Sequence, residues 1–397
     1  MMYAKIIQSI KDVNEEEWNR LVSPQDIQMS YSYIKSVENS EISDYQHRYI
    51  LIYDDGSQLI ASLPVFITNK FCLDTPLTGK CKMLCKKIRD VLPMFLSKRV
   101  LFCGCCISEY NKINIREKTE KNMVLKLILE EIDALAEREK VKFVLAKDFI
   151  DDGNCFKEES QKKGYFDFCS LPGTYIDIEC DSFETYIQGL KIKQRQNIRN
   201  KINKCRKAGG LEFEIVEDFG QISDKLHELY MYTFNNAEVQ FDRIGKDFFE
   251  NINNFMGESS KVILAKREGN IIGFALLVCS QDSCVNVRIG LDYKYAHLYH
   301  VYFMLHYKNI EYAIESGAKR LYLSQTTYIP KLEMGAKIAG LTGFVRHRSG
   351  FVNVIYKFLF RKLFSQYQSL SQAENPHNEL KAILSDKFSG KTHRKSA

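Results

Sequence analysis

Polar side chains follow two predicted strands in the last third of the sequence. The first strand ends at Arg288 and Asp292, and the second runs into the polar segment 324–336, which contains Tyr328 and Lys331. Polar residues at the carboxyl ends of strands commonly line a site in α/β proteins. We therefore predict that Lys331 orients an anion or a carbonyl group, that Tyr328 acts as an acid or hydrogen-bond donor, and that Asp292 acts as a base. The alternative is that the threonines of this segment form a turn and the lysine is an ordinary surface charge.

A long helix is predicted between these two strands, beginning near residues 296–299. The free backbone N–H groups and the dipole of such a terminus could hold a pyrophosphate, with Tyr299 and Arg288 beside it. The sequence contains neither G-x-G-x-x-G nor G-K-[ST], so nucleotide binding of the Rossmann or P-loop type is disfavoured. His300 could be a general base, although a histidine on an amphipathic helix is more often a core residue.

The strongest charge signal lies in a predicted helix over residues 182–208, which joins the two halves of the chain. From Tyr186 to Ala208 it holds eight cations and no acidic residue. Like charges at i,i+4 spacing repel, so a nearby anion would relieve them, and phosphate is the natural candidate. The alternative is a solvated helix face that pairs with acidic residues of the neighbouring domain. On the first interpretation the cofactor-binding cations are Lys193, Arg195 and Arg199.

A weak internal repeat indicates the architecture. Residues 48–67 and 260–279 share an apolar run, a turn with glycine and a second apolar run, and both predict β-hairpins. Residues 127–149 and 307–327 each combine a helical pattern, a short basic turn and a β-rich strand. The order of elements is that of a mixed α/β (α+β) fold in which two domains of the same design follow each other, each a mixed sheet flanked by helices.

We place the domain boundary between the last strand of the first unit and the basic helix. The predicted divisions are an N-terminal domain over 1–175, a C-terminal domain over 176–365 and a polar tail over 366–397.

Composition excludes several classes of protein. The chain has 397 residues, of which 45% are hydrophobic and 27% charged, with a net charge of +6. This is the composition of folded domains, and the charge is too mild to indicate DNA binding. No signal-peptide core and no apolar run of membrane-spanning length is present, so we expect a cytoplasmic protein with reduced cysteines. The spacing of the twelve cysteines does not predict a metal site.

The C-terminal segment 351–364 alternates aromatic residues with Lys357, Arg361 and Lys362. It could lie against the inner face of a membrane as a peripheral contact. The alternative is a final strand and helix that pack on the domain.

Several segments resemble the tandem GNAT-fold proteins of the FemAB-like type. They are LPGTYIDIECDSFETYIQGLKIKQRQNIRNKINKCRKAGG, FDRIGKDFFENI, KVILAKREGNIIGFALLV and LYLSQTTYIPKLEMGA. The resemblance extends from Tyr3 to about Arg348. It implies two GNAT-like domains and a transferase that moves an acyl or aminoacyl group onto an amine. It also implies a donor site between two splayed strands, which corresponds here to residues 288–292 and the helix after Ala296.

The resemblance further implies a co-substrate and no permanently bound cofactor. An acyl-CoA or acyl-carrier thioester is the first candidate donor, an aminoacyl-tRNA is the alternative, and a small-molecule or peptide amine is the acceptor. Candidate protein and nucleic-acid partners are therefore an acyl carrier protein or a tRNA, and not DNA. The Gly-rich turn of acyl-CoA-binding members and the inserted coiled-coil arm of tRNA-dependent members are both absent from the sequence. A non-catalytic protein of the same fold that binds an anionic partner is a third alternative.

Overall fold

The chain folds into two mixed β-sheets, one formed mainly by each half. The computed structural model describes residues 2–72, 79–91, 97–150, 155–237, 240, 242–373 and 376–380. All statements below concern these residues.

The first half contributes strands β1 to β7 and helices α1 to α5. In chain order they are β1 Tyr3–Ile7, α1 Glu15–Asn19, α2 Tyr31–Glu38, β2 Gln46–Tyr53, β3 Leu59–Cys72, α3 Gly79–Val91, β4 Ser97–Cys103, β5 Asn114–Ile115, α4 Lys121–Arg138, β6 Phe143–Phe149, α5 Cys155–Lys162 and β7 Phe166–Cys169.

The second half contributes β8 to β15 and α6 to α13. In chain order they are β8 Gly173–Asp177, α6 Phe183–Gly189, α7 Ile192–Lys207, β9 Glu212–Val216, α8 Ser223–Asn236, α9 Asp247–Met256, β10 Ser260–Arg267, β11 Asn270–Cys279, β12 Ser283–Leu291, α10 Tyr293–Ala296, α11 Val301–Glu315, β13 Arg320–Tyr322, α12 Tyr328–Glu333, β14 Lys337–Ala339, β15 Thr342–His347 and α13 Gly350–Gln372.

The first sheet has the strand order β1-β2-β3-β4-β6-β15-β7, and β5 pairs with β3. The second has the order β14-β8-β13-β12-β11-β10-β9. In each sheet one pair is parallel, β4 with β6 and β12 with β13, and the other ladders are antiparallel. The predicted mixed α/β architecture with two similar units is confirmed.

The second half contributes one strand to the first sheet near the end of the chain. β15 lies between β6 and β7 of the first sheet, although it follows the strands of the second. The chain therefore returns to its first unit before α13 begins. The division at residue 175 and the tail from residue 366 stay predictions; α13 continues to Gln372, and residues 381–397 lie outside the described part.

The repeated pattern was predicted correctly at the level of elements. β2 and β3 form the first hairpin and β10 and β11 the second. At the tip of the second hairpin, Glu268 and Gly269 both have positive φ, 52° and 77°. This is the geometry of a type I′ turn, whose twist matches that of the flanking strands.

The predicted single helix over 182–208 is wrong, because the structure has two helices there. α6 ends at Gly189, and Leu190 and Lys191 are extended, with ψ of 162° and 145°. Glycine is a poor helix residue, and the Gln194 side chain accepts a hydrogen bond from the Lys191 N–H at 3.2 Å, which starts a new helix.

Helices cover the apolar faces of both sheets and form the layers of the fold. α4 and α5 cover one face of the first sheet, and α6, α7 and α11 cover one face of the second. Between the sheets, α1, α2, α8 and α9 share one continuous apolar core with the inner faces of both. The halves are therefore held together by a common core.

Phe249 of α9 is central to this shared core. Its side chain has no exposed surface, and its ring lies edge-on to that of Phe274 at 5.5 Å. We expect Phe249→Ala to lower the free energy of unfolding by about 3–5 kcal/mol, because a buried ring is replaced by a cavity. Since the halves share this core, the variant must also shift the guanidinium transition reported by the fluorescence of Trp18, the chain's single tryptophan, which lies in the first half.

The matched control for this prediction is Phe255→Ala on the same helix. Phe255 is only partly buried and contacts the Lys35 ammonium group, so its removal should cost less. A Trp18 transition that does not move in Phe249→Ala, while circular dichroism shows loss of the second half, would contradict the shared core.

The expectation that the cysteines are reduced is wrong for one pair. Cys279 and Cys284 are joined by a disulfide across the end of the β11–β12 hairpin. Opposite residues of an antiparallel pair come closest where they do not exchange backbone hydrogen bonds. Cys279 and Cys284 are opposite each other, and their Cα atoms are 4.1 Å apart.

Among the helices described, none is both long enough and apolar enough to cross a membrane.

Candidate active site

A cavity of about 1020 Å³ lies between the two halves. Its walls include the ends of β4 and β6 from the first half, β12 and the loop after β13 from the second, and the inner face of α13. Ligand sites in proteins are commonly of this size and lie between domains. The walls place charged and polar groups from both halves around one space.

The cavity extends into a cleft between β12 and β13. These strands pair in parallel only where Ser283–Val285 meets Arg320–Tyr322. Beyond this point β12 continues to Leu291, whereas the chain turns away after β13, with the Ser324 hydroxyl donating to Asn286 O at 2.7 Å. The β12 backbone beyond Asn286 therefore has no strand beside it on the β13 side within the described chain. Val287 O already accepts from the Arg288 side chain at 2.7 Å, and the Leu291 N–H donates to the Thr233 hydroxyl at 3.1 Å. The backbone between these two groups is available to a ligand.

The loop after β13 is held in an unusual conformation. Ser324, Thr326 and Thr327 have φ of 66°, 59° and 47°, in the left-handed region that costs energy for residues with a side chain. The Gln325 N–H donates to the Glu109 carboxylate at 2.6 Å, and the Gln325 side chain donates to Leu171 O at 2.8 Å. Strained backbone of this kind persists where the surroundings fix it, and it occurs most often at functional sites.

Lys331 of α12 anchors the same loop from inside. Its ammonium nitrogen donates to Ser324 O at 3.0 Å and to Gln325 O at 2.8 Å, and only 3% of the residue is exposed. Burial lowers the pKa of Lys331 to about 7, although Glu109 acts in the opposite direction. A neutral amine has two hydrogens and one lone pair. Because the two carbonyl groups accept both hydrogens, the lone pair is left free to accept a proton.

The first half supplies further ionisable groups to the cavity. Burial raises the pKa of Glu109, and the charges of Lys331 and Arg288 reduce that effect. Asp148 accepts a hydrogen bond from Ser170 at 2.5 Å and lies 3.6 Å from the Lys147 ammonium group. Burial disfavours the charge of Lys147, but the charges of Asp148 and Asp242 together with Cys106 and Cys105 outweigh it, and the pKa of Lys147 is raised. Lys147 thus stays charged in the pH range in which Lys331 loses its proton.

Three cavity-lining side chains of the second half hold polar atoms that are buried without a hydrogen-bond partner in the described structure. They are Asn286 Oδ1, Tyr302 Oη and both ring nitrogens of His306. Burial, with the nearby charge of Lys331, lowers the pKa of His306 to about 3, so its imidazole is neutral. An unpaired buried polar atom is costly, and a bound polar ligand would satisfy it.

Arg288 of β12 also lines the cavity. One of its nitrogens donates to Val287 O at 2.7 Å, and no carboxylate of the described residues lies within 4.0 Å of the guanidinium. A guanidinium group has five N–H donors in a planar fork that suits a carboxylate or a phosphate. The arrangement leaves Arg288 able to bind an anionic group in the cavity.

The first turn of α11 opens towards the same cavity. Its cap residue, His300, lines the cavity and has a left-handed backbone with φ of 50°. The Lys201 ammonium group lies 4.3 Å from the ring of Phe303 on α11, which places the last turns of α7 beside this helix end. Burial, with the charges of Lys204 and Lys201, lowers the pKa of His300. The helix dipole and these two lysines therefore act on the same point.

The structure brings together only part of the predicted set of site residues. Lys331 and Arg288 line the cavity. Tyr328 lies on the same helix as Lys331, but its hydroxyl donates to Pro172 O at 3.0 Å, and burial raises its pKa, so it stays protonated. Asp292 caps α10 by accepting from the Lys294 N–H at 2.9 Å, away from the cavity walls. We therefore no longer assign the base to Asp292.

The predicted cofactor cations lie elsewhere on the basic helix. Arg199 pairs with Glu184, Arg195 donates to Gln188 O at 3.4 Å, and Lys193 is exposed, all away from the cavity walls. Tyr299 is buried with its ring beneath the Arg267 guanidinium at 5.6 Å. Only the last turns of the basic helix α7 reach the site. The reason is that α7 begins at Ile192 as a separate helix and packs along the second sheet.

Sequence reasoning missed the contribution of the first half. Glu109, Lys147 and Asp148 stand at or just beyond the ends of β4 and β6, which form the parallel pair of the first sheet. The rule that found Lys331, polar residues after the carboxyl end of a strand, would have found these residues if it had been applied to both repeats.

The sequence and the fold are similar to those of known proteins. Residues 193–328 match the family model of the acetyltransferase (GNAT) domain. The chain is 24% identical over 331 residues, 80% of its length, to the "Putative 8-amino-7-oxononanoate synthase 2" of Mycobacterium tuberculosis. It spans about two fifths of that relative, 42% of its length.

Two solved structures share the fold over most of the chain. FemX has a TM-score of 0.56 at 11% identity, with 90% of this chain and 100% of FemX covered. The C-terminal domain (DUF2156) of a "Putative Lysylphosphatidylglycerol Synthetase" from Agrobacterium fabrum has a TM-score of 0.51 at 10% identity, with 89% and 97% covered. The family match and the shared fold agree with the resemblance drawn from the sequence: residues 193–328 match an acetyltransferase (GNAT) domain, and the chain has the fold of FemX.

Proposed function

We propose that this protein is an N-acyltransferase that moves an acyl group from an acyl-CoA or acyl-carrier thioester to an amine. The observation that carries the proposal is the position of Lys331, a buried amine that donates to two carbonyl groups and lines the cavity between the two halves. GNAT domains generally use acyl-CoA as co-substrate, and the cleft provides unpaired backbone for such a donor.

In this proposal the donor enters along β12. The thioester lies beside the unpaired backbone beyond Asn286, and backbone N–H groups there stabilise the oxyanion that forms on its carbonyl oxygen. The phosphate groups lie at the first turn of α11, where Lys204 adds positive charge and Lys201, which also pairs with Glu333 at 3.4 Å, lies beside it. These two lysines replace the cofactor cations predicted from the sequence.

The acceptor occupies the part of the cavity formed with the first half. Its amine nitrogen attacks the thioester carbonyl carbon, and the lone pair of Lys331 takes the proton that the nitrogen loses. The carbon–sulfur bond then breaks, and protonated Lys331 returns the proton to the departing sulfur. No covalent enzyme intermediate is needed, because an activated thioester requires mainly orientation and proton transfer.

Arg288 is proposed to bind an anionic group of the acceptor. The donor phosphates are already accounted for by α7 and α11, and Arg288 has no carboxylate partner among the described residues. An acceptor that carries a carboxylate beside its amine, as amino acids do, fits this charge.

The proposal is tested first by ligand-induced stabilisation of the whole chain, since a bound ligand raises the unfolding midpoint with its occupancy. CoA, acetyl-CoA, a long-chain acyl-CoA and bulk tRNA are compared at low and moderate salt. We expect a CoA thioester to raise the midpoint and tRNA not to, and amine-dependent release of free CoA thiol with the same donor. A salt-sensitive shift with tRNA alone would favour an aminoacyl-tRNA donor, and binding without thiol release for any amine would favour a non-catalytic protein.

The placement of the donor phosphates gives a sharper form of this test. Lys204→Ala should weaken acyl-CoA binding by up to about fivefold, the equivalent of about 1 kcal/mol for an exposed ion pair. It should leave binding of an acyl-pantetheine, which has no such phosphates, unchanged. Lys193→Ala on the same helix is the matched control and should alter neither. Equal losses for both thioesters in Lys204→Ala would contradict this placement.

A further inference from the structure

Helix α13 is apolar on two opposite faces. One face packs on the protein, where Phe360 and Phe364 contact Phe168 and line the cavity. The other face is exposed and carries five large apolar side chains at spacings of three and four residues. They are Phe351, Val354, Ile355, Phe358 and Leu359. Phe351 and Phe358 are 78% and 74% exposed.

The charge of this helix has a single sign. Lys357, Arg361 and Lys362 are exposed, and the sequence from Gly350 to Ala373 contains no acidic residue. On a helical projection Lys357 and Arg361 flank the exposed stripe on one side. Lys362 lies on the same face as the stripe, one turn beyond its last apolar residue. An apolar stripe bordered by cations is the pattern of helices that lie in the plane of a membrane surface.

We propose that α13 docks this protein on an anionic lipid bilayer. The five apolar side chains enter the boundary between headgroups and acyl chains, and the three cations contact lipid phosphates or carboxylates. This docking does not depend on the proposed transferase activity.

Charge argues for a bilayer over a second copy of the chain. In a symmetric dimer through this face the same patch meets itself, so Lys357, Arg361 and Lys362 would face their own counterparts. No carboxylate within the helix could compensate that repulsion. An anionic membrane provides both the apolar interior and the opposite charge.

Docking through α13 has a consequence for the cavity. Only the width of the helix, about 10–12 Å with its side chains, separates the membrane face from the cavity face, since Phe358 is exposed and Phe360 lines the cavity. A docked molecule therefore holds its cavity next to the lipid surface. A substrate with an apolar chain would have a short path from the bilayer to the cavity.

Flotation of the full chain with lipid vesicles tests the proposal. Vesicles of phosphatidylcholine alone are compared with vesicles that contain phosphatidylglycerol. We expect binding to the anionic vesicles, weakened by salt, and little binding to the neutral ones. The double variant Phe351→Ser, Phe358→Ser should lower the partition coefficient by about a hundredfold, since burial of each phenylalanine contributes tenfold or more. Replacement of Lys357, Arg361 and Lys362 by alanine should remove the salt dependence.

The matched control is Ile192→Ser. Ile192 is 66% exposed on the basic helix α7, so a loss of binding in this variant would place the contact on α7 and overturn the proposal. Circular dichroism and the unfolding midpoint verify that the double variant is folded, because the replaced rings are exposed. Unchanged vesicle binding by the double variant, or no binding by the unaltered chain, overturns the proposal. So does a dimer in solution that the double variant abolishes, which would identify a second copy as the occupant of the stripe.

Discussion

Lys331→Met should lower kcat/KM by about 10²- to 10⁴-fold, the usual contribution of a positioned general base. Methionine fills the same volume but cannot accept a proton. The variant also removes the hydrogen bonds to Ser324 O and Gln325 O, so the strained loop could relax. Titration with a CoA thioester separates the two effects, since a lost base leaves donor affinity unchanged.

Lys331→Arg distinguishes proton transfer from positioning. Arginine keeps the charge and can still donate to the loop carbonyl groups, but it does not lose its proton at any relevant pH. If Lys331 only orients a group, arginine restores much of the rate. If it is the base, arginine is as inactive as methionine.

The dependence of kcat/KM on pH tests independently whether Lys331 is the base. The base must be neutral, and the pKa of Lys331 is lowered to about 7. We therefore expect kcat/KM, calculated for the unprotonated fraction of the acceptor amine, to rise about tenfold per pH unit below pH 7 and to level off above it. Lys147→Met is the control, because Lys147 lines the same cavity with a raised pKa and stays charged over this range. Lys147→Met should still show the rise of kcat/KM below pH 7. A rise that persists in Lys331→Met would identify another group, with Glu109 the nearest alternative.

The fold could be predicted from the sequence because the patterns that define its elements are local. Alternating apolar residues and turn glycines define each hairpin, as at Glu268–Gly269, and the repeat of the pattern implies two similar units. The pairing of β15 with the first sheet was not predictable in this way. It depends on contacts between segments some two hundred residues apart along the chain.

The site was predicted in part for the same reason. Lys331 follows a strand in the sequence, so its place at a sheet edge could be inferred. The free lone pair of Lys331 could not, since it arises from two carbonyl groups whose orientation depends on the left-handed turn of Ser324. The cap formed by Asp292 shows the limit of this inference, because a residue after a strand can equally cap the next helix, as Asp292 does for α10.

Arg288→Met should raise the KM of the acceptor by about 10- to 100-fold, as expected when a hydrogen bond to a charged group of about 1.5–3 kcal/mol is lost. The reason is geometric: the guanidinium lines the cavity, donates to Val287 O, and has no carboxylate partner within 4.0 Å in the described structure. Arg288→Lys should be intermediate, because a lysine keeps the charge but not the planar fork.

The two KM values of this variant identify which substrate Arg288 binds. For an acceptor with a carboxylate, the KM of the acceptor rises and that of the acyl-CoA stays constant; for the matching amide or ester, Arg288→Met has little effect. Arg267→Met is the control, since Arg267 is held outside the cavity against the Tyr299 ring and Gly209 O. A rise in the KM of acyl-CoA alone would return Arg288 to the donor, where the sequence first placed it. Equal rises for charged and uncharged acceptors would mean that Arg288 shapes the cavity without binding an anion.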